Sequence, residues 1–178
     1  MFNKYNKIIV GGLLVLTLPL LVGCTKEEKN TNIVTTTTKK SERKEEKIDN
    51  YKLVYEGVDI TPGRKLDYKD INKEPKISTI PSCAFSGEDH VYTYDDIEIT
   101  CSIADDKSET VYSVYFINET YSMPSGLKKG SKVEDMKSIL GEPFDEFNGI
   151  YYYKGNNITI KIETQDDKIF AIEYTLNT

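Results

Sequence analysis

Tryptophan is absent from this 178-residue chain, histidine occurs once, and bases are outnumbered, 23 Lys and Arg against 29 Asp and Glu. The net charge of −6 leaves no electrostatic reason to bind nucleic acid or anionic lipid headgroups. No apolar run is long enough to cross a bilayer: the longest, residues 8–22, is roughly 15 residues against about 18 or more required. Walker, Rossmann, zincin, Ser-x-x-Lys and nucleophile-elbow patterns are all missing. The lone histidine lies in Ser86-Gly87-Glu88-Asp89-His90, which reads as a polar turn. Glu88, Asp89 and His90 are neighbours in one loop and do not make a closed metal site. A pairing of His90 with Cys83 lacks a third orienting group and an oxyanion site. The acid pairs Asp95-Asp96, Asp105-Asp106 and Asp166-Asp167 fall between strand-like runs, where Asp favours turns. Asp105-Asp106-Lys107 also lacks the alternating ligands and central glycine of a calcium loop. These absences point away from an enzyme, and no metal or other cofactor is expected.

What is present begins at the N-terminus. Met1-Phe2-Asn3-Lys4-Tyr5-Asn6-Lys7 carries two lysines and no acid, and the short apolar run follows it directly. A basic start and a short apolar run describe a cleavable export signal. The run ends in Leu21-Val22-Gly23-Cys24, which resembles the lipobox of bacterial lipoproteins. That resemblance implies cleavage between Gly23 and Cys24 and attachment of a diacylglyceryl group to the Cys24 thiol. One acyl chain holds a protein only marginally, whereas two anchor it stably, at about 0.8 kcal/mol per buried methylene. The expected location is therefore the extracytoplasmic face of a cell membrane, held by lipid on Cys24. Loss of Lys4 and Lys7 with the signal moves the net charge to about −8, so the mature chain stays acidic.

Composition then divides the mature chain. From the lipidated residue through residue 50 it is almost wholly Lys, Glu, Thr, Asn, Ser and Arg, including Thr35-Thr36-Thr37-Thr38 and the charged residues 39–47. So few apolar residues cannot offset the entropy of ordering, and residues 24–50 read as a flexible tether. Residues 51–178 suffice for one domain with a single core.

That domain reads as two related halves, about 51–120 and 121–178. In the second, Ser131 and Glu134 form a capping-box pattern ahead of Val133, Met136, Ile139 and Leu140 at helical spacing. Gly141 and Pro143 end that helix. Three strand-like runs follow: Ile150-Tyr151-Tyr152-Tyr153, Ile158-Thr159-Ile160-Lys161-Ile162, and Ile169-Phe170-Ala171-Ile172-Glu173-Tyr174. In the first half, a shorter helix over residues 66–72 precedes Val91-Tyr92-Thr93-Tyr94, Ile97-Glu98-Ile99-Thr100-Cys101 and Tyr112-Ser113-Val114-Tyr115-Phe116. The expected fold is α+β: tandem helix-plus-antiparallel-meander units sharing one sheet, strand-rich with short helices.

The segment Gly130-Ser131-Lys132-Val133-Glu134-Asp135-Met136, closing in Leu140-Gly141-Glu142-Pro143 before an aromatic strand, resembles small envelope lipoproteins of the SmpA/OmlA (BamE-like) type. It is also similar to the secreted β-lactamase inhibitor protein. Residues 81–94 resemble a stretch in uncharacterised clostridial lipoproteins. Such kinship implies helix-plus-meander units and protein–protein binding or envelope scaffolding. No recognition loop of the inhibitor can be matched, so β-lactamase inhibition is not implied.

With Cys24 lipidated, Cys83 and Cys101 remain as a candidate disulfide in an oxidising location. Burial as a small residue beside Ile97 and Ile99 explains Cys101 equally well. Thirteen tyrosines are the unusual resource. In Phe170 to Tyr174 and Tyr112 to Phe116 the first, third and fifth residues should face the core, which turns Tyr115, and at least one ring of Tyr151-Tyr152-Tyr153, away from it; Tyr115 and Tyr152 are the candidates for a binding face. Tyrosine is also simply a good strand residue. The favoured reading is a non-catalytic module that binds an unidentified envelope protein or polymer. The alternatives are a small-ligand sensor serving a transporter and a cell-wall hydrolase using His90.

Overall fold

The computed structural model describes residues 48–178, so Gly23, Cys24, the apolar run and most of the expected tether lie outside the described residues. Chemistry drives the rest toward strands: isoleucine, valine, threonine and tyrosine alternate with polar residues, and each alternation gives one face to bury. A two-stranded hairpin comes first, β1 (Val54–Tyr55) and β2 (Val58–Asp59), closed by Glu56 and Gly57, both at positive φ. Then come β3 (Lys76–Pro81), β4 (Glu88–Thr93), β5 (Ile97–Ile103) and β6 (Glu109–Phe116). One helix, α1 (Val133–Leu140), precedes β7 (Asp145–Phe147), β8 (Ile150–Lys154), β9 (Ile158–Gln165) and β10 (Lys168–Leu176).

The eight later strands make one antiparallel sheet in the order β3-β4-β5-β6-β10-β9-β8-β7. Each run of four strands is a meander, and the two join where Tyr115 of β6 pairs with Glu173 of β10. One face carries the core. Ile99, Val114, Phe116, Ile160, Ile162 and Tyr174 on it are fully buried. Against them pack Leu53, Tyr55 and Ile60 around the hairpin, Leu66 and Ile71, Met123 and Leu127, and Met136 of α1. Gly155 is required by that packing, since a Cβ there would sit 2.6 Å from the Tyr51 ring. Tyr55 ties the hairpin down: its hydroxyl donates to the buried Asp96 at 2.6 Å and accepts from the Lys73 ammonium at 3.1 Å. Burial first, then the bond to Asp96, pushes the Tyr55 phenol up to about 12.

The expected α+β class is overturned. The domain is mostly β, an eight-stranded sheet plus a small hairpin sheet with a single α-helix among the described residues, and the helix-plus-meander repeat is not present. Where residues 66–72 were expected to be helical there is one 3-10 turn, Tyr68–Asp70, capped by Asp67, which accepts from the Lys69 amide at 3.1 Å. Asp67, Asp70 and Asn72 favour local turn bonds over helix, and a single turn cannot repay helix nucleation. Leu66 and Ile71 are buried without one.

Two details of α1 also differ. Lys132 is its N-cap, without a side-chain cap bond, while the Ser131 hydroxyl accepts from the Lys128 amide at 3.1 Å. Ile139, expected on the apolar face, is 45% exposed.

Candidate functional site

The second face of the sheet is built by the same strands, one residue out of step with the core. Pairing carries a single row of side chains across all eight strands: Lys76, Thr93, Glu98, Tyr115, Glu173, Lys161, Tyr152 and Asp145. Tyr115, expected to face away from the core, and Tyr152, one of three adjacent rings of which at least one was, stand in this row on β6 and β8. Three strand spacings separate them, about 14 Å at the usual interstrand distance. Both are half-buried by their neighbours rather than by another layer. Charges of both signs surround them, and the Lys161 ammonium meets Glu163 at 2.6 Å.

Two β-bulges add aromatic rings that simple alternation does not foresee. The β5–β6 register slips between Thr100 and Cys101, leaving Tyr112 as the extra residue. The β9–β10 register slips between Ile169 and Ala171, leaving Phe170 as the extra residue. A bulge puts two residues opposite one and re-aims the side chain. Phe170, expected to face the core, is 54% exposed instead, while Ile169, Ala171 and Ile172 are buried. The Lys129 ammonium stands 5.8 Å from the Tyr115 ring centre and 5.6 Å from that of Phe170, and donates to the Ile117 carbonyl at 2.8 Å. These contacts hold the central rings in place on the open face.

The cysteines go to different environments. Cys83 is exposed in the turn after β3, and Cys101 is fully buried on the core side of β5. Both are free thiols, so the candidate disulfide is not formed in the structure.

A polar cluster on the core side was not foreseen. His90, read from sequence as part of a turn, lies in β4 with its side chain toward β6. The Glu109 carboxylate is 2.8 Å from His90 Nδ1 and accepts from the Tyr92 hydroxyl at 2.6 Å. Tyr68 stacks on Tyr92 with ring centres 4.8 Å apart. Cys101, opposite His90 in the ladder, has its thiol pushed up by burial and then by the Glu109 and Asp89 carboxylates. That is the opposite of what activates a nucleophilic thiol. Burial and the bond to Glu109 likewise push the Tyr92 phenol up, so it stays a neutral donor. The arrangement is a proton-bearing cross-link between β4 and β6, spanning β5. A shallow groove beside it, lined by Lys65, Asp67, Tyr68, Lys69, Lys107 and Glu109, brings solvent to the carboxylate. The signal for it was the alternation His90-Val91-Tyr92, which continues the strand one turn of pleat upstream.

No group of three or more His, Cys, Asp or Glu side chains among the described residues is arranged to hold a metal ion. No helix among them is long and apolar enough to cross a membrane. No protein-family model, curated protein or solved structure matches this chain.

Proposed function

We propose that this chain is a lipid-anchored extracytoplasmic protein whose domain is a non-catalytic binding module, taking an envelope protein or polymer on the open face of its sheet. The observation that carries the reading is the unbroken row from Lys76 to Asp145, with Tyr115 and Tyr152 in it. Tyrosines give a recognition surface large contact area at low rotamer cost, and interspersed charges set register and partner choice. The anchor rests on the sequence Leu21-Val22-Gly23-Cys24.

Two measurements test the two parts separately. Cys24→Ala should move the protein from the membrane fraction to the soluble fraction, and an unchanged membrane fraction refutes the anchor. Sedimentation of the chain with purified cell envelope should fall for Tyr115→Ala and Tyr152→Ala. Equal sedimentation of all three proteins removes the sheet face from consideration.

A further inference from the structure

At its β3–β4 end the open face is not open. Asp89 and Val91 lie on β4 in the alternation opposite to Tyr92, on the solvent side, yet they are only 3% and 6% exposed. Their cover is the turn of residues 82–87. Its Phe85 ring packs edge-on against Tyr112 of β6, with centres 5.8 Å apart, two strands inward from the hairpin it belongs to. To make that contact the turn folds back over β4 and β5.

Beneath it is a buried carboxylate oxygen without a donor. Asp89 Oδ1 is buried and accepts no hydrogen bond. Its cross-strand neighbours are Ile80 and Ser102, and the Ser102 hydroxyl donates elsewhere, to the Thr110 carbonyl at 3.4 Å. A buried carboxylate oxygen with no donor is costly, and native structures complete such groups with a water, an ion or a ligand. The turn itself is loosely held. Its two hydrogen bonds, Ser82 amide to Gly87 carbonyl at 3.0 Å and Phe85 amide to Ser82 hydroxyl at 3.1 Å, are internal to it. Gly87, at φ +106, supplies the left-handed conformation that closes the turn, and nothing lies within 4 Å of where a Cβ would stand.

We propose that the 82–87 turn is a lid that lifts to admit an alkylammonium group, whose charge pairs with Asp89 and whose methylenes then lie against the parted Phe85 and Tyr112 rings. A carboxylate below and two aromatic faces beside it are the elements that recognise organic cations. The chain's net charge of −6 favours their approach. This site is separate from the Tyr115–Tyr152 row and does not depend on what that row binds. The ammonium can be that of a lysine side chain on a partner or that of a free polyamine.

Calorimetric titration of the full chain with a lysine-containing peptide and, separately, with spermidine tests this. Saturable binding of at least one is expected, and the tighter of the two identifies the source. Asp89→Asn should weaken it by about thirtyfold or more, as loss of one partner in a buried charge pair does. Phe85→Ala should weaken it by about threefold to tenfold. Asp89→Asn should also leave the ligand-free melting temperature unchanged or raise it, because the carboxylate oxygen it replaces has no donor to lose. No binding of either probe, equal binding by Asp89→Asn, or a lowered melting temperature for that variant each overturns the proposal. The last result would make Asp89 a structural acceptor.

Discussion

The two faces of the eight-stranded sheet are written in the same strands, one residue apart, and they share almost no chemistry. On the core side, pairing aligns Ile77, Tyr92, Ile99, Val114, Tyr174, Ile160 and Tyr153. On the other side it aligns Lys76, Thr93, Glu98, Tyr115, Glu173, Lys161, Tyr152 and Asp145. Tyrosine is the residue common to both rows, and it behaves oppositely in them. Tyr174 is fully buried, stacked on Phe116 with ring centres 5.8 Å apart, and its hydroxyl donates to the Asn50 carbonyl at 2.7 Å. Tyr115 is only half-buried, with the Lys129 ammonium 5.8 Å from its ring centre. The same side chain is core material where a second layer covers it and contact surface where none does.

That contrast can be broken most severely from the core side. Tyr174→Ala should cost about 3–5 kcal/mol by cavity formation, seen as a lowered urea midpoint with little change in slope. Alkali should act on the same face. Tyr55, Tyr94 and Tyr153 are each pushed up to about 12 from the usual 10.0, burial being the first cause. Groups whose pKa is higher in the folded chain lend stability that is complete below about pH 10 and is lost as pH rises through about 12. Cooperative unfolding in that window should coincide with the rise in tyrosinate absorbance; buried rings ionising before unfolding would refute the assignment.

Smaller effects should come from the polar links and the bulges. Tyr55→Phe should cost about 1–3 kcal/mol, because it leaves the buried Asp96 without its donor. Deleting Phe170 should retain the fold, since Ile169 and Ala171 would then pair with Thr164 and Glu163 in regular register. Deleting Ile172 should unfold the domain by turning the rest of β10 over. Equal melting temperatures for the two deletions would show that the bulge has no special role. The smallest change belongs to the open face: Tyr115→Ala and Tyr152→Ala should shift stability by only about 0.5 kcal/mol while envelope binding is lost.

Much of the strand content was legible. Runs such as Ile158-Thr159-Ile160-Lys161-Ile162 can bury one face only as strands, and β9 covers Ile158–Gln165. For the same reason Tyr115, and one ring within Tyr151-Tyr152-Tyr153, were legible as turned away from the core. The helix at residues 66–72 was misread by analogy with α1 of the second half, and only packing shows that an irregular segment buries Leu66 and Ile71 equally well. Phe170 was misread because a period of two assumes an uninterrupted ladder, and the bulge lies in the pairing with β9 rather than in the sequence of β10. His90 was misread because Gly87 and the acids beside it look like a turn, whereas the turn ends at Gly87 and pairing resumes at Glu88. Its partner Glu109 is 19 residues away, and no local pattern announces it.

The sequence by itself determined that the described chain would be rich in strands with one apolar face, and it carries the lipobox-like run ending at Cys24, because alternation and short motifs act through neighbouring residues. Tertiary structure decided that, among the described residues, a single sheet of eight strands forms with one α-helix, and that Asp89 is buried with one carboxylate oxygen lacking a donor. It also decided which tyrosines are core and which are surface. Those outcomes depend on register and on which layer lands on which face. Both are set by contacts between residues far apart in the chain, where a slip of one position exchanges inside for outside.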